Sequence, residues 1–484
     1  MVEIIELDSS NAVDGNSAST DVLVLLANNE FLALLNLLRD TMSELDSQLV
    51  GDKLVSWLDI KPTKWDWMSP GIPEKDENRL LSCIQLAVFL FSKVSGDLQY
   101  LLMKSISYYM NEHVPWSNRK CAVEACKIDS ALCIQFMQRF VDELRPELLK
   151  STTSKVSLAG YAKPKKISAL RPTLGLGGGA AGDEKNRSEW KNSHAVKSLS
   201  SICLLVKIGQ SWPNYDQYWP MASTFIMNVL DDSDPLFRAQ GCYLLNDFIG
   251  SNGARLSKTG LDLAFGESVE VCLTYLPQLT PAPVSLVVLK AAYPVLFVLL
   301  QLRGASYRLY LDILEKNILG LISHVQGRDN DADTMIVLTF LVDQLRYIIL
   351  EHIGSAILVS FPRTNFVINQ LLINPYLVER DNGPQLVDSA LRVHTAILGL
   401  FTQLDDSDAL DIVLLYKYDL LGAWTVLCKR VVKYNVGTPY TGELIEKNVT
   451  ALKAIAVGCG LGQEFHEDLD AIWTRAPETK TYVH

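Results

Sequence analysis

Apolar residues recur at helical steps through almost every legible stretch of this chain, and the two-residue alternation of half-buried strands is nearly absent. Leu23, Leu26, Phe31, Leu35 and Leu38 keep to steps of three to five, and Leu80, Ile84, Ala87 and Phe91 to threes and fours. Between such runs lie short polar turns rich in charge, Asn, Gly and Pro, at 74–78, 250–253, 327–333 and 379–384. Helix, short turn, helix is the rhythm of a bundle or an α-solenoid.

That periodicity decides how the length is read. At roughly 150 residues per domain, 484 residues suggest about three units, but a repeat array extends one core along the chain. A net charge of −11 leaves no general cationic field, so neither direct nucleic-acid binding nor attachment to anionic lipid is expected. The nine cysteines are odd in number, scattered and embedded in apolar runs, as reduced core thiols are, which favours cytoplasm and nucleus over secretion. The most apolar stretch, 284–302, approaches the length of a membrane span but holds Lys290 and Pro294. It reads as a buried helix of a soluble interior.

Five segments are expected: a disordered acidic lead-in at 1–20, an N-terminal helical region at 21–149, a flexible basic and Gly-rich linker at 150–192, a helical repeat region at 193–475 and a polar tail at 476–484. The lead-in has no cationic stretch before an apolar one and so is not a signal peptide. The linker carries Lys150, Lys155, Lys163, Lys165, Lys166 and Arg171 with no acidic residue from 148 through 182. It reads as a solvated tether, or as a docking or nuclear-import segment.

Motifs that would carry chemistry fail on context. Gly177, Gly179 and Gly182 match G-x-G-x-x-G, yet Arg171-Pro172 precedes them and a charged run follows, where a dinucleotide site needs a strand and an apolar helix. Asp329, Asn330, Asp331 and Asp333 open like a calcium loop, but Thr334 and Phe340 stand where Gly and Glu belong. Ser117 with Lys120, and Lys258 with Gly260, match fragments of serine acyl-transfer enzymes without the third element in order. Cys121, Cys126, Cys133 and His113 lack zinc spacing, and His394 sits on an apolar stripe as a buried or boundary imidazole. The reading is of a protein that is not an enzyme and has no cofactor or metal.

The most structured signal spans 218–249. Trp219-Pro220 is expected to open a helix with Met221, Phe225, Ile226, Val229 and Leu230 on one face; Asp231-Asp232-Ser233-Asp234 interrupts it; a second helix then turns Phe237, Gly241, Leu244, Leu245 and Phe248 inward. Asp234 is placed to cap the second helix and Pro235 to occupy its first turn. Arg238 is expected to reach back to Asp231 or Asp232, and Gly241 to let paired helices approach. A weaker echo at 405–408 precedes an apolar helix expected from Leu410 to Val432. Together these favour an all-α, HEAT-like α-solenoid of helical hairpins over a compact bundle.

The same residues resemble a known family. Trp219-Pro220, the run Leu230 to Pro235 and the run Gln240 to Leu245 look like the signature of the second Tel-interacting (Tti-two) family, a subunit of the TTT co-chaperone complex; Cys272 to Pro277 with Ala291 to Pro294 resembles its following block. The resemblance covers about residues 200–430. It implies a non-catalytic helical scaffold that assembles with the Tel-two and Tti-one subunits, works with HSP-ninety and its adaptor complex, and supports phosphatidylinositol-3-kinase-related kinases as clients, hence DNA damage signalling and telomere maintenance. Trp219, Pro220, Asp231, Asp232, Pro235, Arg238 and Gly241 match its pattern and are assigned to building the hairpin. Partner contact is expected at Tyr416, Tyr418 and Trp424, since aromatic anchors dominate interface energetics. The competing reading is an α-solenoid adaptor in nuclear transport or trafficking.

Overall fold

A computed structural model of the protein describes residues 20–40, 44–61, 65–68, 72, 74–151, 154–164, 179–277, 279–326, 332–404, 407–434 and 437–481. They are nearly all helical, with isolated two-residue bridges in place of strands. Residues 1–19 of the lead-in expected at 1–20, Gly175, Gly177 and Gly178, Lys165, Lys166 and Arg171, and the calcium-like residues Asp329 to Asp331 lie outside them.

The chain divides into two compact units, one of Met1–Asp232 with Tyr243–Asn252, the other of Ser233–Cys242 with Gly253–His484. In the first, the Glu74–Phe91 helix packs on Phe31–Asp40, Glu44–Leu58, Gly96–Ser107 and Arg119–Ala125, and Ser198–Ile208 packs on Gly96–Ser107 and Met137–Leu144. Their helical stripes meet in a core of Leu54, Ile84, Leu86, Leu90, Leu102 and Ile106, all sealed from solvent. Asn118 and Asp129 cap the short helices that follow them, each carboxyl or amide oxygen accepting a backbone N–H at 2.9 Å.

In the second unit each long helix packs on the next of its layer. Leu261–Cys272 meets Ala282–Leu302, which meets Ala332–Ile348, then Gly383–Phe401, Thr441–Gly458 and Gly462–Arg475. Phe361–Ile373 packs on Gly383–Phe401 and on Lys417–Tyr434. Ala282–Leu302 is long and apolar enough to cross a membrane by composition, but Val288, Leu289, Tyr293, Leu296 and Leu300 are buried among its neighbours. The expected polar tail is in part a turn, Pro477–Thr481, that packs on Lys417–Tyr434 and Gly462–Arg475.

Several local expectations change. The first signature helix starts at Tyr215, so Pro220 lies inside it. Burial of Tyr215, Tyr218 and Trp219 extends the helix backwards past the position that proline chemistry favours. Asp234 does cap Pro235–Thr259, its Oδ1 accepting from the Leu236 N–H at 3.0 Å with Pro235 in the first turn. The turn expected at 250–253 is a kink at Asn252 within that helix, which ends at Gly260. Gly260 has φ +70°, a left-handed conformation that closes one helix and opens the next. The helix expected from Leu410 to Val432 is two, Ser407–Leu414 and Lys417–Tyr434, broken at Leu415 and Tyr416.

The linker at 150–192 is corrected most. Gly179–Lys191 is a helix with Trp190 buried, so Gly179 and Gly182 are helical rather than a phosphate loop. Residues 154–164 form a small turn closed by a Val156–Ala162 bridge. There the carbonyl of Gly160, at φ +76°, accepts from the Trp219 indole N–H at 3.0 Å. A Cβ at Gly160 would stand 2.5 Å from Trp219 Cδ1, so only glycine fits both the backbone and the contact. An apolar pattern finds long helices; it cannot find a segment held by one indole, one glycine and ion pairs.

Candidate functional site

Two constructions stand out, and the first is the acidic turn of the signature. Asp232 is fully buried, and its oxygens accept from Arg187 Nη1 at 3.1 Å and Lys191 Nζ at 2.7 Å. Arg187 is itself buried and also holds Asp183 at 3.1 Å and the Asn228 carbonyl at 2.8 Å. Asp231 accepts from Lys155 Nζ at 2.9 Å. Basic residues of the supposed tether are therefore bound to the acidic turn. A buried ion pair survives because its partners and hydrogen bonds replace the lost water.

The expected tie from Arg238 to these aspartates is replaced. Lys155, Arg187 and Lys191 take the carboxylates, while the Arg238 guanidinium carbon lies 5.6 Å from the centre of the Tyr275 ring, with Nε and Nη1 unpaired among the described residues. Trp219 is buried and stacks on Phe248 at 4.9 Å, and Gly241 is buried. Pro220 and Pro235 are half-buried. These are the contacts of a built structure, closed to a ligand.

The isolated motifs do not converge. Ser117 Oγ donates to the Tyr109 carbonyl at 2.9 Å, and Lys120 pairs with Glu77 at 3.1 Å. Burial pushes the thiols of Cys83 and Cys133 up to about 12 and that of Cys121 up to about 11, which makes them inert at neutral pH. His113 stacks on Tyr243 with ring centres 3.5 Å apart. Among the described residues no three His, Cys, Asp or Glu side chains gather as a metal ion requires.

The second construction is an open groove of about 600 Å³ between Phe361–Ile373 and Lys417–Tyr434. Its rim carries Phe366 and Tyr418, 63% and 59% exposed. Asn365 and Asn369 lie on its floor, with Asn369 Nδ2 donating to Asn365 Oδ1 at 3.1 Å and to the Asp419 carbonyl at 3.3 Å. Tyr416 is half-buried with its ring edge-on to Phe361 at 5.5 Å. Tyr418 Oη donates to Asp468 at 3.2 Å, and Lys417 beside it pairs with Asp468 at 2.9 Å and with Glu464.

The three aromatics chosen from sequence are thus divided. Tyr416 and Tyr418 line the groove, but Trp424 is a core residue, 1% exposed, whose indole N–H donates to His394 Nδ1 at 3.1 Å. As an anchor for a partner it is excluded by burial. His394 is the buried imidazole its stripe foretold, and burial pushes its pKa down to about 3, so it is neutral at pH 7. Phe366, Asn365 and Asn369 were missed; two amides one helical turn apart, at 365 and 369, were the available signal.

A model of the Tti2 family matches residues 102–379, which include the whole acidic turn and the first wall of the groove but not its second. No curated protein and no solved structure matches the chain.

Proposed function

The chain belongs to the Tti2 family, an adaptor-type family whose membership implies association with the TTT complex, and on that premise we propose that it is a scaffold subunit of that co-chaperone. In this reading it binds the Tel-two and Tti-one subunits, works with HSP-ninety and its adaptor complex, and sustains the maturation and levels of phosphatidylinositol-3-kinase-related kinases. Its link to DNA damage signalling and telomere maintenance runs through those kinases, in cytoplasm and nucleus. The repeated helix-on-helix packing is read as a HEAT-like α-solenoid, which offers long surfaces to large proteins.

The observation that carries the proposal is the family match over 102–379, within which the acidic turn is fully built. A net charge of −11 fits an indirect role in DNA maintenance, because a scaffold needs no cationic face for the duplex.

The test is quantitative affinity purification of the endogenously tagged chain, followed by its acute depletion. Tel-two and Tti-one are expected in stable stoichiometric amounts, and the client kinases are expected to fall severalfold. A different stable assembly with unchanged kinase levels would reject the proposal.

A further inference from the structure

We propose that the groove between Phe361–Ile373 and Lys417–Tyr434 is a peptide-binding site for an extended segment carrying one apolar side chain and, close to it, one basic side chain. This binding is independent of the kinase-maturation reading.

The dimensions suit a short extended chain. The lining runs from residue 362 to 373 on one helix and from 418 to 426 on the other, with Tyr416 in the turn before it, about two and a half to three turns each. At ~1.5 Å per residue that is about 16 Å, room for about five residues of extended chain at ~3.3 Å each. Asn365 and Asn369 are one turn apart, ~6 Å along the axis, close to the ~6.6 Å between alternate residues of a strand. Their amides therefore meet peptide groups that face the same way. Asn369 Nδ2 is taken by Asn365 Oδ1 and the Asp419 carbonyl, so the pair offers the Asn365 Nδ2 donor and the Asn369 Oδ1 acceptor, one of each kind that a peptide main chain requires.

The floor is poised for such a partner. Asn369 is 8% exposed, and its Oδ1 has no hydrogen-bond partner among the described residues. A peptide N–H reaches it when the amide turns about its soft terminal torsion and exchanges its bonds to Asn365 and Asp419 for bonds to the ligand. An added Cβ at Gly422 would meet nothing within 4 Å, so a ligand can approach the helix backbone there. Phe366, Tyr418 and Val426 flank that bare stretch and hold an apolar side chain. Asp419, exposed, is the one charged side chain among the described residues lining the groove, and it selects a cation. A helical ligand would lay an apolar stripe on the floor and leave the amides unmet.

The experiment uses the full chain and an array of acetylated, amidated seven-residue peptides. Each carries one Leu, Phe or Trp and one Lys or Arg one or two positions away, with matched peptides in which Glu replaces the base. Hits are measured as fluorescein conjugates by fluorescence polarisation. Glu peptides are expected to bind at least tenfold more weakly, and Asp419→Lys is expected to reverse that preference. Gly422→Leu, which fills the groove, is expected to weaken every hit at least tenfold without lowering the melting temperature. No saturable binding, binding indifferent to both substitutions, or binding only by helix-stapled forms would each overturn the proposal.

Discussion

The acidic turn and the groove are both polar constructions between helices, but one is closed and satisfied and the other is open and incomplete. At the turn, Asp232 has two cationic partners and no access to solvent. In the groove, Asp419 stands exposed and Asn369 Oδ1 has no hydrogen-bond partner among the described residues. Polar groups that finish their bonding inside the chain hold a fold, whereas polar groups left short beside exposed aromatics are available to something else.

The sharpest way to break this contrast is to remove one carboxylate from each region. Asp232→Ala takes the shared carboxylate away from buried Arg187 and from Lys191 and should cost about 3–5 kcal/mol in urea unfolding, whereas Asp419→Ala should stay within about 0.5 kcal/mol. Equal costs would erase the distinction. Gly160→Ala probes the turn that clasps Trp219; left-handed strain and the clash should together cost about 2–4 kcal/mol, measured the same way.

A third prediction uses pH behind the groove, at the pair that removed Trp424 from its surface. Burial lowers the folded-state pKa of His394 from 6.5 to about 3, so the unfolded chain binds the proton first. That contribution to stability is whole above pH 6.5 and is lost as pH falls towards 3, amounting to ~2 kcal/mol by pH 5. His394→Gln should flatten the difference between unfolding curves at pH 7.5 and pH 5; an unchanged slope would place the acid sensitivity elsewhere. Smaller still, Asp234→Ala removes a cap bond and should cost about 1 kcal/mol by thermal melting.

The helices were legible because periodicity records which face is buried, and the cap at Asp234 because its chemistry is complete within three residues. Pro220 misled because a rule about helix starts met an aromatic cluster that buries the preceding turn. Of the groove, Tyr416 and Tyr418 could be chosen as aromatics, whereas Trp424 falls on the stripe of Leu420, Leu421, Leu427 and Cys428 that faces the core.

By itself the sequence determined an all-helical chain, its acidic balance and the capped turn at Asp234, since each depends on neighbours a few residues apart. Tertiary structure alone decided that Lys155, Arg187 and Lys191 belong to Asp231 and Asp232, 76, 45 and 41 residues away, and that Trp424 is sealed while Tyr418 is not. The reason is physical: periodicity encodes the burial of a helix face, whereas which distant charge meets another is settled only when the packed helices bring them within about 3 Å.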